Sequence, residues 1–340
     1  MALSTRFVLL ALAVCSARAG TTLWSGNFNA YPTAAAFDKW SWSNQVGEYQ
    51  WYIHGTQNTS HYLALDPSFK NPADTSETNG LRMTIDPNAT WNSQMERAEL
   101  IPQTTANLGS GNLFYHFSIS HPPTNLPDST LEHQICFFES HFTELKYGVG
   151  ANPTHLTWMI TGVGHYDVPF TPGTWYNFAY DIDFTAKTVG LWASTAGNPL
   201  VKVVQNVATS PSTNSADWHL GVLRIVNGGT PEDWYFSGVY IENGPITTAI
   251  GSGAPSNSST TTAPPSTTTV SSAPVTTPTT TTASGPTQTQ YGQCGGAAHT
   301  TQTASTILMN FPGTGYTGPT TCASPFTCKA ISPPYYYQCL

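Results

Sequence analysis

Charged side chains are scarce in this chain. Asp, Glu, Lys and Arg together make up 9% of its 340 residues, and 11 basic residues stand against 19 acidic ones, for a formal net charge of -8. An ordinary soluble domain carries about 25% charged residues. So low a basic content excludes the electropositive surface that nucleic-acid binding requires and the polybasic segment of a lipid anchor. All the acidic residues lie between positions 20 and 250, so acid–base chemistry is expected there.

Long apolar runs are also lacking. The apolar run from Phe7 to Val14 is shorter than the ~20 residues that cross a bilayer. Arg6 precedes this run, and the small-x-small sequence Ala17-Arg18-Ala19 follows it. This order predicts a secretory signal peptide over residues 1–19, and therefore a secreted, extracellular protein without a membrane partner.

Cysteine is rare as well, with 6 in the chain, one of them in the predicted signal peptide. An even cluster near the end predicts two disulfides with three possible pairings; its members are Cys294, Cys322, Cys328 and Cys339. The cluster has no Cys-x-x-Cys pair and a single nearby His, so no metal site is expected. Cys136 stands alone among apolar neighbours, and we interpret it as a small buried hydrophobe.

Residues 251–288 divide the chain into two parts. Ser, Thr and Pro fill 27 of these 38 positions, and charged and aromatic residues are absent. Such a composition buries too little apolar surface to fold, so an extended, disordered, O-glycosylated linker is predicted. It joins a large domain, residues 20–250, to a small one, residues 289–340. N-glycosylation sequons begin at Asn58, Asn88 and Asn257.

The large domain has the pattern of strands almost throughout. Aromatic and β-branched runs at 114–119, 175–182, 222–225 and 234–241 are bounded by Gly, Pro, Asn and Asp. Helical periodicity is nearly absent, and residues 34–40 form the best short exception. No internal repeat indicates a propeller or solenoid. We predict an all-β fold, a β-jelly-roll or antiparallel β-sandwich.

The small domain has the composition of a binding module. It is too short to bury a hydrophobic core, so disulfides must stabilise its fold. For the same reason most of its tyrosines cannot be buried. Exposed aromatic rings beside an amide suit the apolar faces of sugar rings. The sequences from Tyr291 to Gly296 and from Tyr335 to Leu340 resemble the fungal-type family 1 carbohydrate-binding module, which binds cellulose.

This resemblance implies a set of cellulose-contacting residues: Tyr291, Tyr335, Tyr336 and Gln338. It also implies disulfides between Cys294 and Cys328 and between Cys322 and Cys339. The first two cysteines are farther apart here than in the family, and removing residues 297–313 restores the family's spacing. We therefore predict that 297–313 is an insertion, either a surface loop or a retained short intron.

A cellulose-directed module points to polysaccharide as the substrate of the large domain, and glycosidic hydrolysis requires two carboxyl groups. In the segment 94–101, period-2 alternation puts Arg97 and Glu99 on one face and Glu96 on the other. Arg97 can hold the Glu99 carboxylate ionised. In the segment 133–146, the same alternation puts His133 and Glu139 on one face together with Phe137 and His141. Apolar neighbours there are expected to raise the pKa of Glu139, as a general acid requires.

Met95-x-Arg97-x-Glu99-Leu100, His133-Gln134 and the run from Phe138 to Lys146 resemble glycoside hydrolase family 131. The likeness covers nearly all of residues 21–248. It implies a fungal β-glucanase that acts on β-1,3, β-1,6 and β-1,4 bonds, with Glu99 and Glu139 as catalytic residues. An inverting reaction is expected, with Glu139 as acid and Glu99 as base. Candidate substrate contacts are Arg97, Gln134, His141 and Lys146.

Further expectations follow from the same residues. Aromatic side chains of the large domain are candidates for stacking on glucosyl rings: Trp51, Tyr52, Trp91 and Tyr166. The partners are β-glucan and cellulose, no cofactor is required, and a monomer is expected.

A lectin-like domain that binds glucan without cutting it is the main alternative, and a polysaccharide lyase is a weaker one. A copper monooxygenase is disfavoured, because cleavage after Ala19 would expose Gly20 and not the His that ligates copper.

Overall fold

The computed structural model describes residues 20–251 and four short parts of the C-terminal segment, 293–295, 320–324, 327–332 and 336–339. The chain divides into two compact units, Met1–Thr262 and Ala263–Leu340. Several predictions lie outside the described residues: the signal peptide, the linker, the 297–313 insertion, Asn257, Tyr291 and Tyr335. Within the described part, no helix is long and apolar enough to cross a membrane.

Strands dominate the first unit, as its aromatic and β-branched runs predict. The strands are β1 (Thr21–Ser25), β2 (Tyr49–Ile53), β3 (Leu63–Asp66), β4 (Gly80–Ile85), β5 (Glu96–Pro102), β6 (Asn112–Ser120), β7 (His133–Phe138), β8 (Thr143–Tyr147), β9 (His155–Ile160), β10 (Val163–Pro169), β11 (Tyr176–Asp183), β12 (Thr188–Thr195), β13 (Val201–Ala208), β14 (Trp218–Arg224) and β15 (Glu232–Asn243). The helices are short: 3-10 helices Phe28–Ala30, Ala34–Lys39 and Pro67–Phe69, and the α-helix Thr59–Tyr62. The predicted helix at 34–40 is thus a 3-10 helix.

These strands form two antiparallel sheets. One has the order β13-β12-β11-β6-β15-β4-β3, with β1 also paired to β15. The other has the order β10-β9-β8-β7-β14-β5-β2. Strands far apart in sequence are neighbours in both sheets, as in β14 between β5 and β7. The predicted all-β, two-sheet antiparallel sandwich is confirmed.

Aromatic side chains fill the space between the sheets. Trp218 of the seven-stranded sheet is 2% exposed, and its ring packs edge-on against Tyr115 of the eight-stranded sheet at 5.2 Å. Trp158 and Trp234 are fully buried as well. Each such side chain contributes about 1.5–3 kcal/mol or more through removal of apolar surface from water. The high aromatic content is therefore largely a core property, and Trp51 also belongs to the core.

The alternation of β7 is interrupted at Cys136, where its pairing with β14 is irregular. The register between β7 and β14 shifts between Ile135 and Phe137, and Cys136 between them has a left-handed backbone with φ of 47°. Ile135 and Cys136 both belong to the core, whereas Phe137 stacks on His219 on the other face of the sheet. The prediction that His133 shares a face with Phe137 was therefore wrong. The prediction that Cys136 is a buried hydrophobe is confirmed, because it is free and 0% exposed.

Two of the predicted glycosylation sites lie in described loops of the first unit. Asn58 and Asn88 are both exposed. The Asn88 amide donates a hydrogen bond of 3.2 Å to Asp86, and a glycan on this nitrogen would leave one N–H for that contact. Glycosylation at both positions stays a prediction.

The described part of the second unit contains a small antiparallel sheet. Its strands are β16 (Gln293–Gly295), β17 (Cys328–Ser332) and β18 (Tyr336–Cys339), in the order β16-β18-β17. Cys322 and Cys328 are each disulfide-bonded. Tyr336 and Gln338, two of the predicted cellulose contacts, lie in β18. The pairing of the four cysteines stays a prediction.

Candidate active site

Arg97 and Glu99 lie on the outer face of the seven-stranded sheet, the face turned away from the core. Alternation along β5 causes this, because Ala98 and Leu100 between and beyond them point into the core. The Arg97 guanidinium donates two hydrogen bonds to the Glu99 carboxylate, from Nε to Oε1 at 2.6 Å and from Nη2 to Oε2 at 2.8 Å. Glu99 is 0% exposed, so this bidentate pair compensates the burial of its charge.

His219 joins the two glutamates that sequence analysis selected. It follows the core residue Trp218 on β14, so its side chain lies on the outer face beside β5. Its Nδ1 is 2.5 Å from Oε2 of Glu99, and its Nε2 is 3.0 Å from Oε1 of Glu139. The second contact is close but not aligned as a hydrogen bond, and Nε2 has no other partner.

Glu139 occupies the accessible side of this arrangement. It follows the end of β7, and its backbone N–H donates to the Asp217 carbonyl at 3.1 Å. Its side chain is 58% exposed, in contrast to the buried His219 and Glu99. Glu139 is therefore the carboxylate that a ligand meets first.

His219, Glu99 and Glu139 shift one another's pKa values in opposite directions. Burial opposes the charge of His219, but Glu99 and Glu139 outweigh it and raise its pKa to about 9. Burial would raise the pKa of Glu99, yet the charges and hydrogen bonds of His219 and Arg97 lower it. The contact with His219 lowers the pKa of Glu139 against the effect of partial burial. At neutral pH the imidazolium thus lies between two carboxylates.

This distribution overturns one expectation about Glu139. Apolar neighbours were expected to raise its pKa, but the side chain is largely exposed and the imidazolium beside it lowers that pKa. The proton that a general acid would hold resides on His219 in the unliganded site.

Gln134 and His141, two other predicted substrate contacts, lie at different distances from this centre. Gln134 and Arg97 both pair with Leu223, so they lie in one row across the outer face. The His141 ring stacks on Phe137 at 5.3 Å, and Phe137 stacks in turn on His219 at 4.6 Å. His141 therefore borders the centre beside the Phe137 ring, and its electrostatic interaction contributes to the lowered pKa of Glu139.

Lys146 lies apart from the two glutamates. It is opposite Gln134 on β8, but its ammonium is held by Glu132 at 2.6 Å and lies 3.8 Å from Glu144. The structure brings Arg97, Glu99 and Glu139 together and leaves Lys146 in a separate ion pair.

Glu96 lies on the other face, as predicted, in a buried charge network. Its carboxylate accepts hydrogen bonds from Arg224, which also donates to Glu232 at 2.6 Å. His133 contacts the same Glu232 at 2.8 Å. Because these groups are buried between the sheets and paired with one another, the network holds strands together and is not available to substrate.

His219 is not among the residues predicted from the sequence. It stands 120 residues from Glu99 and belongs to no recognisable motif. The available signal was its position between two apolar residues of a strand, Trp218 and Leu220, which marks an outward-facing side chain. No group of three or more His, Cys, Asp and Glu among the described residues is arranged to hold a metal ion.

Comparisons with known proteins agree with this architecture. The family profile "Glycoside hydrolase 131 catalytic N-terminal domain" matches residues 22–247, and the profile "Fungal cellulose binding domain" matches residues 313–335. The catalytic domain of a glycoside hydrolase family 131 protein from Coprinopsis cinerea is 70% identical, with a TM-score of 0.68 over 69% of this chain and all of that one. A family 131 β-glucanase catalytic domain from Podospora anserina is 49% identical, with a TM-score of 0.67 over 68% of this chain and all of that one.

Curated relatives match only a short stretch. The AA9 family lytic polysaccharide monooxygenase B of Thermothielavioides terrestris is 51% identical over 57 residues, which is 17% of this chain and 12% of the relative. The AA9 enzyme cel61A of Hypocrea jecorina is 48% identical over 58 residues, with the same two shares. This chain therefore spans 12% of the length of these relatives. The profile match over the whole sandwich decides the family: the chain belongs to glycoside hydrolase family 131.

Proposed function

We propose that the protein is a secreted β-glucanase that hydrolyses β-1,3, β-1,6 and β-1,4 glucosidic bonds, with Glu99 and Glu139 as its catalytic carboxylates. The observation that carries the proposal is the contact of His219 with both glutamates, at 2.5 and 3.0 Å. This contact unites a buried, ionised carboxylate and an exposed one in a single site. The similarity to the β-glucanase catalytic domain from Podospora anserina supports the substrate class.

The position of His219 between the two carboxylates supports inversion. Inverting glycosidases hold their two carboxyl groups ~6.5–9.5 Å apart so that a water fits, whereas retaining enzymes hold them ~5–5.5 Å apart. The imidazole ring of His219 lies between Glu99 and Glu139 and contacts one through each nitrogen. A ring interposed in this way favours the wider spacing.

In the proposed reaction Glu139 is the general acid and Glu99 the general base. His219 passes its Nε2 proton to Glu139, and Glu139 gives it to the leaving glycosidic oxygen. Oε1 of Glu99 accepts one hydrogen bond, from Arg97, and keeps a lone pair for the proton of the water that attacks the sugar. Arg97 and His219 keep Glu99 ionised. The products are two sugar hydroxyl groups, and no cofactor takes part.

The other proposed roles concern how the protein binds glucan and cellulose. Gln134 and His141 border the centre on the outer face and are proposed to contact the glucan, with Arg97 and, more remotely, Lys146. The C-terminal module is proposed to hold the enzyme on cellulose. Its contact residues would be Tyr291, Tyr335, Tyr336 and Gln338. A polymeric extracellular substrate requires secretion, and the enzyme is proposed to act as a monomer.

Reducing-sugar release from soluble β-1,3, β-1,6 and β-1,4 glucans tests the proposal. Glu99→Gln and Glu139→Gln should each lower kcat by about 10²–10⁴-fold. Glu96→Gln is the matched control, because it makes the same change on the same strand but on the opposite face. It should retain activity at temperatures where it is folded. NMR of the first product should reveal the inverted anomer.

Two outcomes would contradict the proposal. Hydrolysis that survives both Glu99→Gln and Glu139→Gln would refute the site. Wild-type protein that binds these glucans without releasing reducing ends would favour the lectin-like alternative.

A further inference from the structure

Three aromatic rings lead away from the catalytic centre on the outer face of the sheet. The Arg97 guanidinium lies 5.3 Å from the ring centre of Trp91. The Trp91 ring lies 5.8 Å from that of Tyr52, and the Tyr52 ring lies 4.8 Å from that of Trp42. We call Trp91, Tyr52 and Trp42 the aromatic strip. Because Arg97 holds Glu99, the strip is continuous with the proposed catalytic site.

The loop before β2 holds the far end of the strip in a fixed position. Ser41 and Asn44 exchange two backbone hydrogen bonds, of 3.1 and 3.0 Å, across a tight turn that carries Trp42. Below the turn, the buried Trp40 ring contacts those of Trp42 at 5.0 Å and Tyr52 at 5.5 Å. The indole N–H of Trp40 donates to Gln103 at 2.9 Å. The strip is therefore formed before any ligand arrives.

The end of the strip is unusually open to solvent. Trp42 is 59% exposed, and it is the one aromatic side chain among the exposed large hydrophobic residues of the described part of the chain. Val46, in the same loop, is 40% exposed. Exposed apolar surface at a fixed position next to an active site indicates a binding surface.

The chemistry around Trp42 identifies the occupant. Ser43, Asn44 and Gln45 are exposed beside it, and no charged residue occurs between Trp40 and Gly47. An aromatic face with a rim of hydroxyls and amides matches a neutral sugar ring, which has apolar C–H faces and a belt of hydroxyl groups. A charged ligand would find no counter-ion in this loop.

We propose that the aromatic strip is a binding subsite for glucosyl units of the β-glucan chain being cut, with Trp42 as its outermost contact. The inference rests on the proposed function for the identity of the chain. Two of its rings, Tyr52 and Trp91, were candidates from the sequence, whereas Trp42 was not. The strip makes affinity depend on chain length, because only a chain long enough to extend from Glu139 past Trp91 reaches Trp42.

Calorimetric titration of soluble β-glucan oligosaccharides of increasing length tests this subsite. The full chain is used in the Glu99→Gln background, so that ligand is not consumed, with and without Trp42→Ala. Trp42→Ala should weaken binding of the long oligosaccharides by about fivefold to tenfold and remove the rise in affinity with chain length. Tryptophan fluorescence should shift to the blue on binding of a long ligand when Trp42 is present.

Val163→Ala is the matched control, because Val163 is equally exposed at 59% but lies on β10, at the opposite edge of the sheet from β2. It should bind every oligosaccharide as the parent does. Sedimentation of both variants measures their oligomeric state and so tests whether Trp42 instead lies in an interface with a second copy of the chain.

The outcomes separate the subsite from the proposed activity. Unchanged affinities in Trp42→Ala, or a change in oligomeric state in place of a change in affinity, would overturn the subsite whether or not the wild type hydrolyses glucan. Loss of long-chain binding in Trp42→Ala, together with a wild type that does not hydrolyse glucan, would support the subsite and refute the β-glucanase.

Discussion

The Nδ1 atom of His219 lies 2.5 Å from Oε2 of Glu99, across the neighbouring strands β14 and β5. Gly221 makes this approach possible, because it pairs directly with Glu99. A Cβ at Gly221 would come within 2.3 Å of the Ala98 carbonyl oxygen, so a side chain there would push the strands apart. The hydrogen bond thus depends on a glycine as well as on the two residues that form it.

Replacement of His219 should change how activity depends on pH. The pKa of His219 is raised to about 9, so the imidazolium that supplies the proton is present below that pH and is lost as pH rises through it. We expect wild-type kcat/KM to fall near pH 9. His219→Gln should lower kcat/KM by about 10²-fold or more and abolish this alkaline limb.

His116→Gln is the control for that experiment, since His116 is also buried and contacts Glu242 at 3.0 Å, but lies in the other sheet. It should keep the alkaline limb. An alkaline limb that persists unchanged in His219→Gln would show that another group supplies the proton.

Replacement of Arg97 by lysine should move the acidic limb of the profile. Lysine keeps the charge but cannot make the two parallel hydrogen bonds that Arg97 makes to Glu99. The pKa of Glu99 should therefore rise, so the base becomes ionised only at higher pH. We expect Arg97→Lys to shift the acidic limb of kcat/KM upward and to lower its maximum about tenfold or more.

Arg82→Lys makes the same change on β4, where Arg82 lies 3.9 Å from Asp233, and should leave the profile unchanged. An acidic limb that stays in place in Arg97→Lys would contradict the assignment of Glu99 as the base.

The buried Glu77 should make the fold less stable at alkaline pH. Glu77 is 4% exposed, its Oε2 accepts the Gly238 N–H at 2.9 Å, and its Oε1 has no partner. Burial and the neighbouring Asp74 raise its pKa from 4.5 to about 8. Its protonated form therefore stabilises the fold fully below pH 4.5, and that contribution is lost as pH rises through 8.

Glu77→Gln stays neutral throughout this range. Its Tm should exceed that of the wild type by about 5 °C at pH 9, with no such advantage at pH 4.5. Melting curves of the two proteins across this range measure the difference. Parallel curves for the two proteins would refute the pKa shift.

Loss of a C-terminal disulfide should separate cellulose binding from hydrolysis. Cys322 is disulfide-bonded, and removal of a disulfide from a small secreted domain costs about 2–5 kcal/mol. We expect Cys322→Ser to lose retention on cellulose while its hydrolysis of soluble glucan stays within twofold of the wild type. Pull-down on insoluble cellulose measures retention. Retention equal to that of the wild type would contradict the predicted role of the module.

Features that depend on the local order of residues could be predicted before the fold was known. Arg97 and Glu99 are two residues apart in a strand, so alternation alone puts them on one face and Glu96 on the other. The run of strand patterns likewise predicted the β-sandwich, because in a chain with almost no helical pattern the apolar face of one sheet is buried against a second sheet.

Contacts between residues far apart in the chain could not be predicted in this way, because they depend on which strands are neighbours. His219 reaches Glu99 because β14 lies between β5 and β7, and a pairing across 120 residues leaves no trace in local periodicity. The left-handed backbone at Cys136 puts Ile135 and Cys136 side by side in the core, so His133 and Phe137 lie on opposite faces of the sheet. The pKa of Glu139 followed from the same long-range pairing, because the imidazolium that lowers it comes from β14.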